Sequence, residues 1–347
     1  MLTTNDIIRL LTCYDLGSSG GIIHARRGFV NETAFVQTDQ GRVVIRRIHR
    51  RLAATGLNYR HTLMKWLAKH DFPTGYLIAA RDGTTLIELD GRSYEVMTFV
   101  SGEDFNAEYH PGQIFAAGEL LARYHQAIEG FPPPPELVNP RYSAQTVMGL
   151  TERLLERDAM GELQETLSWY DLRAARLRKL LAPESYAQLP QLVIHGDIHA
   201  DNFLFAGDQA TALIDFDQVA WDARIADIAD GLVGFATDAR FADRMAWGVF
   251  RGPLHVEYAA DFMAGYTSIE PLTATELQTL PILLELIWLQ GELGRVLATS
   301  EGAPDYHQDV LGQGCWLAKW TQDHKDELVA KWTAINAEHA RQPARAA

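Results

Sequence analysis

A chain of 347 residues, 47% hydrophobic and 22% charged, is long enough to bury two cores and has the composition of a globular protein. Its net charge of -14 argues against a general affinity for nucleic acid or for an anionic membrane and suits a cationic or zwitterionic small molecule, although solubility alone would account for it. Cys13 and Cys315 lie too far apart in sequence to suggest a disulfide framework or zinc cluster, residues 1–11 lack a signal-peptide pattern, and the longest apolar stretch, 281–289, is interrupted by Glu285 and too short to span a bilayer, so a cytoplasmic protein is expected.

The first hundred residues read as strands with one helix. Strands are predicted at 22–26, 34–38 and 42–47, the second pair joined by the turn Asp39-Gln40-Gly41. Tyr59, Leu63, Trp66 and Leu67 give 58–70 a helical spacing, ended at Phe72-Pro73. Strands at 76–80, 85–89 and 92–99 follow, separated by Asp82-Gly83 and Asp90-Gly91. Character changes at Val100-Ser101-Gly102. The expected division is therefore 1–100, an antiparallel sheet with one main helix, and 101–347, mostly helical. In the second part Ile114, Ala117, Leu121, Tyr124 and Ile128 share a helix face, Pro132 to Pro135 form a rigid break, and 143–181 is helical. Short strands are predicted at 191–194, 203–206 and 210–214, the last two joined as a hairpin at Gly207-Asp208. Nearly everything after Arg224 reads as helix.

Chemistry concentrates in His195-Gly196-Asp197-Ile198-His199-Ala200-Asp201-Asn202 and Leu213-Ile214-Asp215-Phe216-Asp217. A carboxylate and a carboxamide five residues apart, with a second carboxylate after the next strand, meet the needs of phosphoryl transfer. One carboxylate takes the proton of an attacking hydroxyl, while the amide oxygen and the other carboxylate hold magnesium against the phosphates of ATP. Asp197 is thus the candidate general base, and Asn202 and Asp215 are the candidate Mg2+ ligands. Taken singly, each also reads as an ordinary turn or cap residue.

These two stretches resemble the catalytic and metal loops of the aminoglycoside phosphotransferase and choline kinase superfamily. The resemblance implies an α+β, protein-kinase-like bilobal fold, with ATP and Mg2+ as cofactors and a small-molecule hydroxyl acceptor. It also implies residue roles. His195 would pack beneath the metal loop, and Asp227 would brace the catalytic loop. Gly28 and Asn31 would belong to the phosphate-covering turn, and Arg46 would contact phosphate in place of the usual Lys. Backbone groups of Thr98 and Val100 would read adenine. His199, Asp201 and Asp217 are candidates on the substrate side, and Asp217 and Asp222 add negative charge near the metal without being assigned as ligands. Tyr124-His125 resembles a recurrent structural feature of the first helix. Asp215-Phe216-Asp217 in place of Asp-Phe-Gly, with no Ala-Pro-Glu segment after it, argues against a protein kinase. The stretch from Tyr266 to Thr273 resembles the homoserine-kinase-like branch, whose C-terminal helices shape the acceptor pocket. Glu285, Glu292, Trp288 and Trp316 are candidates there or core residues. One departure stands out. The helix stretch Asn58-Tyr59-Arg60-His61 lacks the Glu that usually orients the phosphate-binding cation. Either another acid reaches in, Glu32 being the candidate, or the cation is held differently. The departure also admits a second reading, a nucleotide-binding or regulatory protein with little turnover.

Overall fold

Alternating burial in the N-terminal strands builds a five-stranded antiparallel sheet. It comprises β1 (Ser19–Arg27), β2 (Glu32–Thr38), β3 (Gly41–Arg47), β4 (Ile87–Leu89) and β5 (Arg92–Thr98), in the order β1-β2-β3-β5-β4. The computed structural model describes residues 2–27, 31–48, 54–105, 110–136, 140–237, 252–299 and 304–340. The chain divides into two compact units: Met1–Glu103 with Thr211–Asp217, and Asp104–Ala210 with Gln218–Ala347.

In the first unit Ala34, Val36, Val43, Ile45, Tyr94 and Val96 join one buried cluster with Ile7, Leu10 and Leu11 of α1 (Thr4–Leu11). Each fully buried aliphatic chain there contributes about 1.5–3 kcal/mol. That helix was not expected. Thr3 and Asp6 close a capping box at its start, and its apolar residues fall on one face. The expected helix at 58–70 is α2 (Ala54–Lys69), which begins four residues earlier. Two strand expectations are corrected. Residues 76–80 make only the isolated bridge Leu77↔Met97 before Ala80 N donates to Thr84 O (2.7 Å) and Gly83 N to Ala80 O (2.9 Å), so a tight turn takes the chain out of the sheet. The strand expected at 85–89 is reduced to β4 for the same reason.

In the second unit α3 (Pro111–Ala127) packs along α8 (Val256–Ile269), and glycine on each helix permits the close approach. A Cβ on Gly118 would lie 2.9 Å from Tyr266 N, and one on Gly265 would lie 2.7 Å from the Phe115 carbonyl carbon. The helix expected at 143–181 is two, α4 (Ala144–Arg157) and α5 (Gln164–Leu180). The Asp158 carboxylate separates them by accepting from Glu162 N (3.0 Å) and Leu163 N (2.8 Å). After α6 (Pro183–Tyr186), β6 (Gln191–Ile194) pairs antiparallel with β9 (Ala220–Ala223), a strand the sequence pattern did not reveal. β7 (Phe203–Ala206) and β8 (Gln209–Leu213) form the expected two-stranded sheet, the chain passing into the first unit at Thr211 within β8. α7 (Ile225–Ala236), α9 (Ala274–Ala298) and α10 (Pro304–Ala340) complete this unit. Among the described residues no helix is long and apolar enough to cross a membrane.

Candidate active site

β6 delivers the chain into the loop at 195–202, and buried groups hold the start of that loop. Gly196 turns at φ +76, where a side chain would also meet the Gln218 carbonyl. Tyr124 OH donates to Val193 O (2.9 Å). Asp227, fully buried in the first turn of α7, accepts from His195 N (2.7 Å) and Gly196 N (2.8 Å), and His125 Nε2 lies 3.1 Å away. Burial pushes the Asp227 carboxyl up. The His125 hydrogen bond, the His125 and His195 imidazoles and the Gly196 amide outweigh it and hold the group below the ordinary carboxylate range. His195 is fully buried, edge-on to Tyr124 at 6.2 Å between centroids.

The loop then brings Asp197, His199 and Asn202 together. Asn202 Nδ2 donates to Asp197 O (2.8 Å) and lies 3.4 Å from Asp197 Oδ2. His199 Nε2 is 3.5 Å from the same carboxylate and 3.1 Å from Asn202 Nδ2. When protonated it faces the acid as a donor, and when unprotonated it accepts from the amide. Partial burial raises the Asp197 pKa. The His199 hydrogen bond and charge, with the charges of Arg141 and His195, more than reverse this and keep it ionised at neutral pH. Asp201 points into solvent, with His199 Nδ1 at 3.9 Å.

Three residues that sequence reasoning missed adjoin this loop. Asp230 accepts from Arg141 Nε (3.0 Å) and from Tyr142 OH. Burial drives its carboxyl up, the Arg141 charge and the Tyr142 hydrogen bond pull it back, and it settles at about 6. The signal was an acid at i+3 from Asp227 on an otherwise apolar helix, since buried carboxylates require partners. Asp222, expected to add negative charge near the metal without being a ligand, is buried. It accepts from Arg141 N (2.7 Å) and Tyr186 OH (2.7 Å).

The first unit holds a separate group of candidates. Strand alternation turns Val43 and Ile45 toward the α1 core and Arg46 to the opposite face. Arg46 sits across from Glu95 in register, with Nη1 3.3 Å from Glu95 Oε1. Its Nη2 pairs with Asp217 and lies 3.5 Å from Asp215 Oδ1. Arg60 of α2 bonds both Glu95 and Asp217. His61 places Nε2 2.8 Å from Glu95 Oε2 and Nδ1 2.8 Å from Thr85 Oγ1, and Asn31 Nδ2 donates to Asp217 Oδ2 (2.6 Å). Burial works against the Glu95 carboxylate, but Arg60, His61 and Arg46 bring its pKa down to about 2. The acid missing from the helix therefore comes from β5, and the helix supplies a cation in its place. Glu32 pairs with Arg47 instead. Asp215 adopts φ 67, a conformation uncommon outside glycine, with its side chain 45% exposed.

Gly28 lies outside the described residues. Thr98 N donates to Tyr76 O (2.8 Å) and Thr98 Oγ1 accepts from Tyr76 N (2.9 Å), so that amide is engaged within its own unit, and Val100 follows the end of β5. Glu285 is held by Arg173 (2.8 Å to Nε), and Trp288 is fully buried with Nε1 donating to Thr321 Oγ1 (3.0 Å), so both belong to helix packing. Glu292 is fully buried, 3.4 Å from Arg295 Nε, and Trp316 is 41% exposed. Among the described residues no three His, Cys, Asp or Glu side chains are grouped to hold a metal ion.

Residues 22–272 match the phosphotransferase enzyme family, and the chain belongs to that family. It is 28% identical over 284 residues to the homoserine kinase of Phenylobacterium zucineum (strain HLK1), covering 81% of each chain. It is 30% identical over 275 residues to the homoserine kinase of Polaromonas naphthalenivorans (strain CJ2), covering 78% of this chain and 79% of that one. Its fold is similar to that of the aminoglycoside phosphotransferase from Alicyclobacillus acidocaldarius (TM-score 0.65, 16% identity, 93% and 95% of the two chains). It is likewise similar to choline kinase from Cryptosporidium parvum (0.62, 12%, 98% and 100%). The fold is thus α+β and protein-kinase-like, and the protein is a small-molecule kinase of the homoserine-kinase-like branch, with a hydroxyl group as acceptor.

Proposed function

We propose that this kinase moves the γ-phosphate of ATP to the hydroxyl of an amino-bearing small molecule, with L-homoserine the first candidate. The observation that carries the reading is the loop at 195–202, where an ionised Asp197 is steadied by Asn202 and His199 and the backbone before it is fastened to Asp227. In this reading Asp197 accepts the proton of the acceptor hydroxyl. Asn202 and Asp215 are the candidate Mg2+ ligands, one from each unit. The Asn202 amide nitrogen faces Asp197, which leaves Oδ1 for an ion, and carboxylate and carboxamide oxygens are each of the kind that a hard cation completed by phosphate and water takes. When bound, the ion supplies neutralisation of phosphate charge. Arg46 and Asn31, gathered on Asp217, form the phosphate-side cluster. Val100 is the adenine candidate of the first unit, whereas the Thr98 amide is already engaged with Tyr76. The similarity to homoserine kinases supports the choice of acceptor.

The test is a coupled ADP-release assay over L-homoserine, choline, aminoglycosides and sugars, with and without magnesium. Magnesium-dependent turnover with L-homoserine supports the reading. Turnover confined to another acceptor class replaces homoserine, and turnover with GTP but not ATP replaces the nucleotide.

A further inference from the structure

α7 runs along the 195–202 loop, and its contacts show what lies beside Asp197. Asp227 bonds the backbone at His195 and Gly196. Seven residues on, Gly234 faces the same loop, since a Cβ there would meet His199 Cα and Ile198 O at 2.9 Å each. Residues i, i+3 and i+7 share a helix face. Asp230, one turn after Asp227 and one turn before Gly234, therefore stands at the level of Asp197.

What Asp230 holds at that point is Arg141. The Arg141 Nε donates to Asp230 Oδ2 (3.0 Å) and Tyr142 OH (3.1 Å), and its guanidinium lies 5.4 Å from the Tyr142 ring centroid. The backbone is fixed on both sides, Arg141 N donating to Asp222 Oδ2 (2.7 Å) and Gln290 Nε2 donating to Arg141 O (3.0 Å). Every described hydrogen bond of the side chain thus uses Nε. Among the described residues neither Nη1 nor Nη2 has a hydrogen-bond partner, and the side chain is 28% exposed. The Arg141 and Asp197 charges act on one another, which agrees with the placement along α7.

A guanidinium fixed by its inner nitrogen presents its two outer nitrogens as a planar fork, the geometry that binds a carboxylate or phosphate through two parallel hydrogen bonds. We propose that the outer edge of Arg141 binds the carboxylate of the acceptor, so that the acceptor is a hydroxylated amino acid rather than a simple amino alcohol, and that Asp230 and Tyr142 are positioning residues that aim the fork. This rests on the phosphotransfer reading above and deepens it. The fork pins the acid end of the acceptor while its hydroxyl reaches Asp197. The same fork chemistry would serve a transferring phosphoryl group, and the test separates the two.

The experiment compares L-homoserine with 3-aminopropan-1-ol, which keeps the amine and hydroxyl and lacks the carboxylate, as acceptors of the wild type, Arg141→Gln and Arg141→Lys. The quantity read is the ratio of kcat/KM for the two acceptors. We expect the wild type to prefer L-homoserine and Arg141→Gln to lose about 10- to 100-fold of that preference through KM for L-homoserine, the range for a charge-assisted hydrogen-bonded pair. Arg141→Lys keeps a charge beside Asp230 and should give an intermediate ratio, and it carries the test if Arg141→Gln does not fold. A preference unchanged in both variants overturns the proposal. So does an equal loss with both acceptors, which would assign Arg141 to the phosphoryl group. A wild type that phosphorylates only carboxylate-free alcohols overturns it while the kinase reading stands. If the wild type phosphorylates no acceptor, the kinase reading fails and calorimetric titration of L-homoserine decides the site separately. Binding to the wild type that Arg141→Gln loses supports the site, and absence of binding to the wild type overturns it.

Discussion

Removing the Asp227 carboxylate tests how the loop is held. In Asp227→Ala the amides of His195 and Gly196 lose their acceptor in a fully buried position, and His125 loses its charged partner. An unsatisfied buried donor costs about 1–3 kcal/mol, so the two amides and the histidine together should cost roughly 3–9 kcal/mol. That is a large share of the about 5–15 kcal/mol that typically separates folded from unfolded chains. Asp227→Asn keeps one acceptor oxygen and should cost about half as much. Urea unfolding followed by tryptophan fluorescence gives the magnitude, and hydrogen exchange at residues 195 and 196 gives the location. The dependence on pH has a definite direction. Because the folded-state pKa of Asp227 lies below its unfolded value, its contribution is fully present above about pH 4 and is lost as pH falls through the lower folded value. An Asp227→Ala protein within about 1 kcal/mol of the wild type, with unchanged exchange at 195 and 196, would refute this account of the loop.

Asp230 runs the other way. Its folded pKa is raised to about 6, so the stability it contributes is complete below its unfolded value and is lost as pH rises through about 6. Asp230→Asn should flatten that decline in melting temperature, and an unaltered profile would mean that another group titrates. Glu95→Gln leaves the Arg60 and Arg46 guanidiniums undercompensated in a buried network and should cost about 3–5 kcal/mol by urea unfolding. A loss below about 1 kcal/mol would show the network to be replaceable by neutral hydrogen bonds. Asp215→Ala should abolish the magnesium-dependent part of nucleotide binding, read as the ATP-induced thermal shift with and without the ion, and an unchanged shift would remove Asp215 from the ligand set.

What the sequence revealed follows from how local each signal is. The short apolar runs Ala34-Phe35-Val36 and Val43-Val44-Ile45, with turn residues between them, place β2 and β3 to within a few residues, and Ala34, Val36, Val43 and Ile45 join the cluster that packs on α1. The four-residue β9 carries no periodicity of its own and is a strand only because β6 lies beside it. α1 escaped notice although Thr3 and Asp6 form a capping box and Ile7, Leu10 and Leu11 give a helical face, a signal too short to stand out. Asp197, Asn202 and Asp215 stand out as candidates in the sequence because two chemical motifs follow short apolar runs. The buried partners of the candidate residues do not stand out. Glu95 is set by cross-strand register to Arg46, and Arg141 by a buried acid 89 residues away in sequence. Such pairings appear only when the chain is folded. In retrospect an acid between Tyr94 and Val96 on the strand that flanks β3 was the clue to the partner of Arg46.

In the proposed reaction Asp197 takes the proton of the acceptor hydroxyl. The direct measurement is steady-state turnover of wild type and Asp197→Asn with ATP, magnesium and the preferred acceptor, together with nucleotide affinity. Asp197→Asn should lower kcat by about 10²- to 10⁴-fold with KM for ATP little changed. Equal turnover by the two proteins would assign the proton to a different group and contradict this role of Asp197.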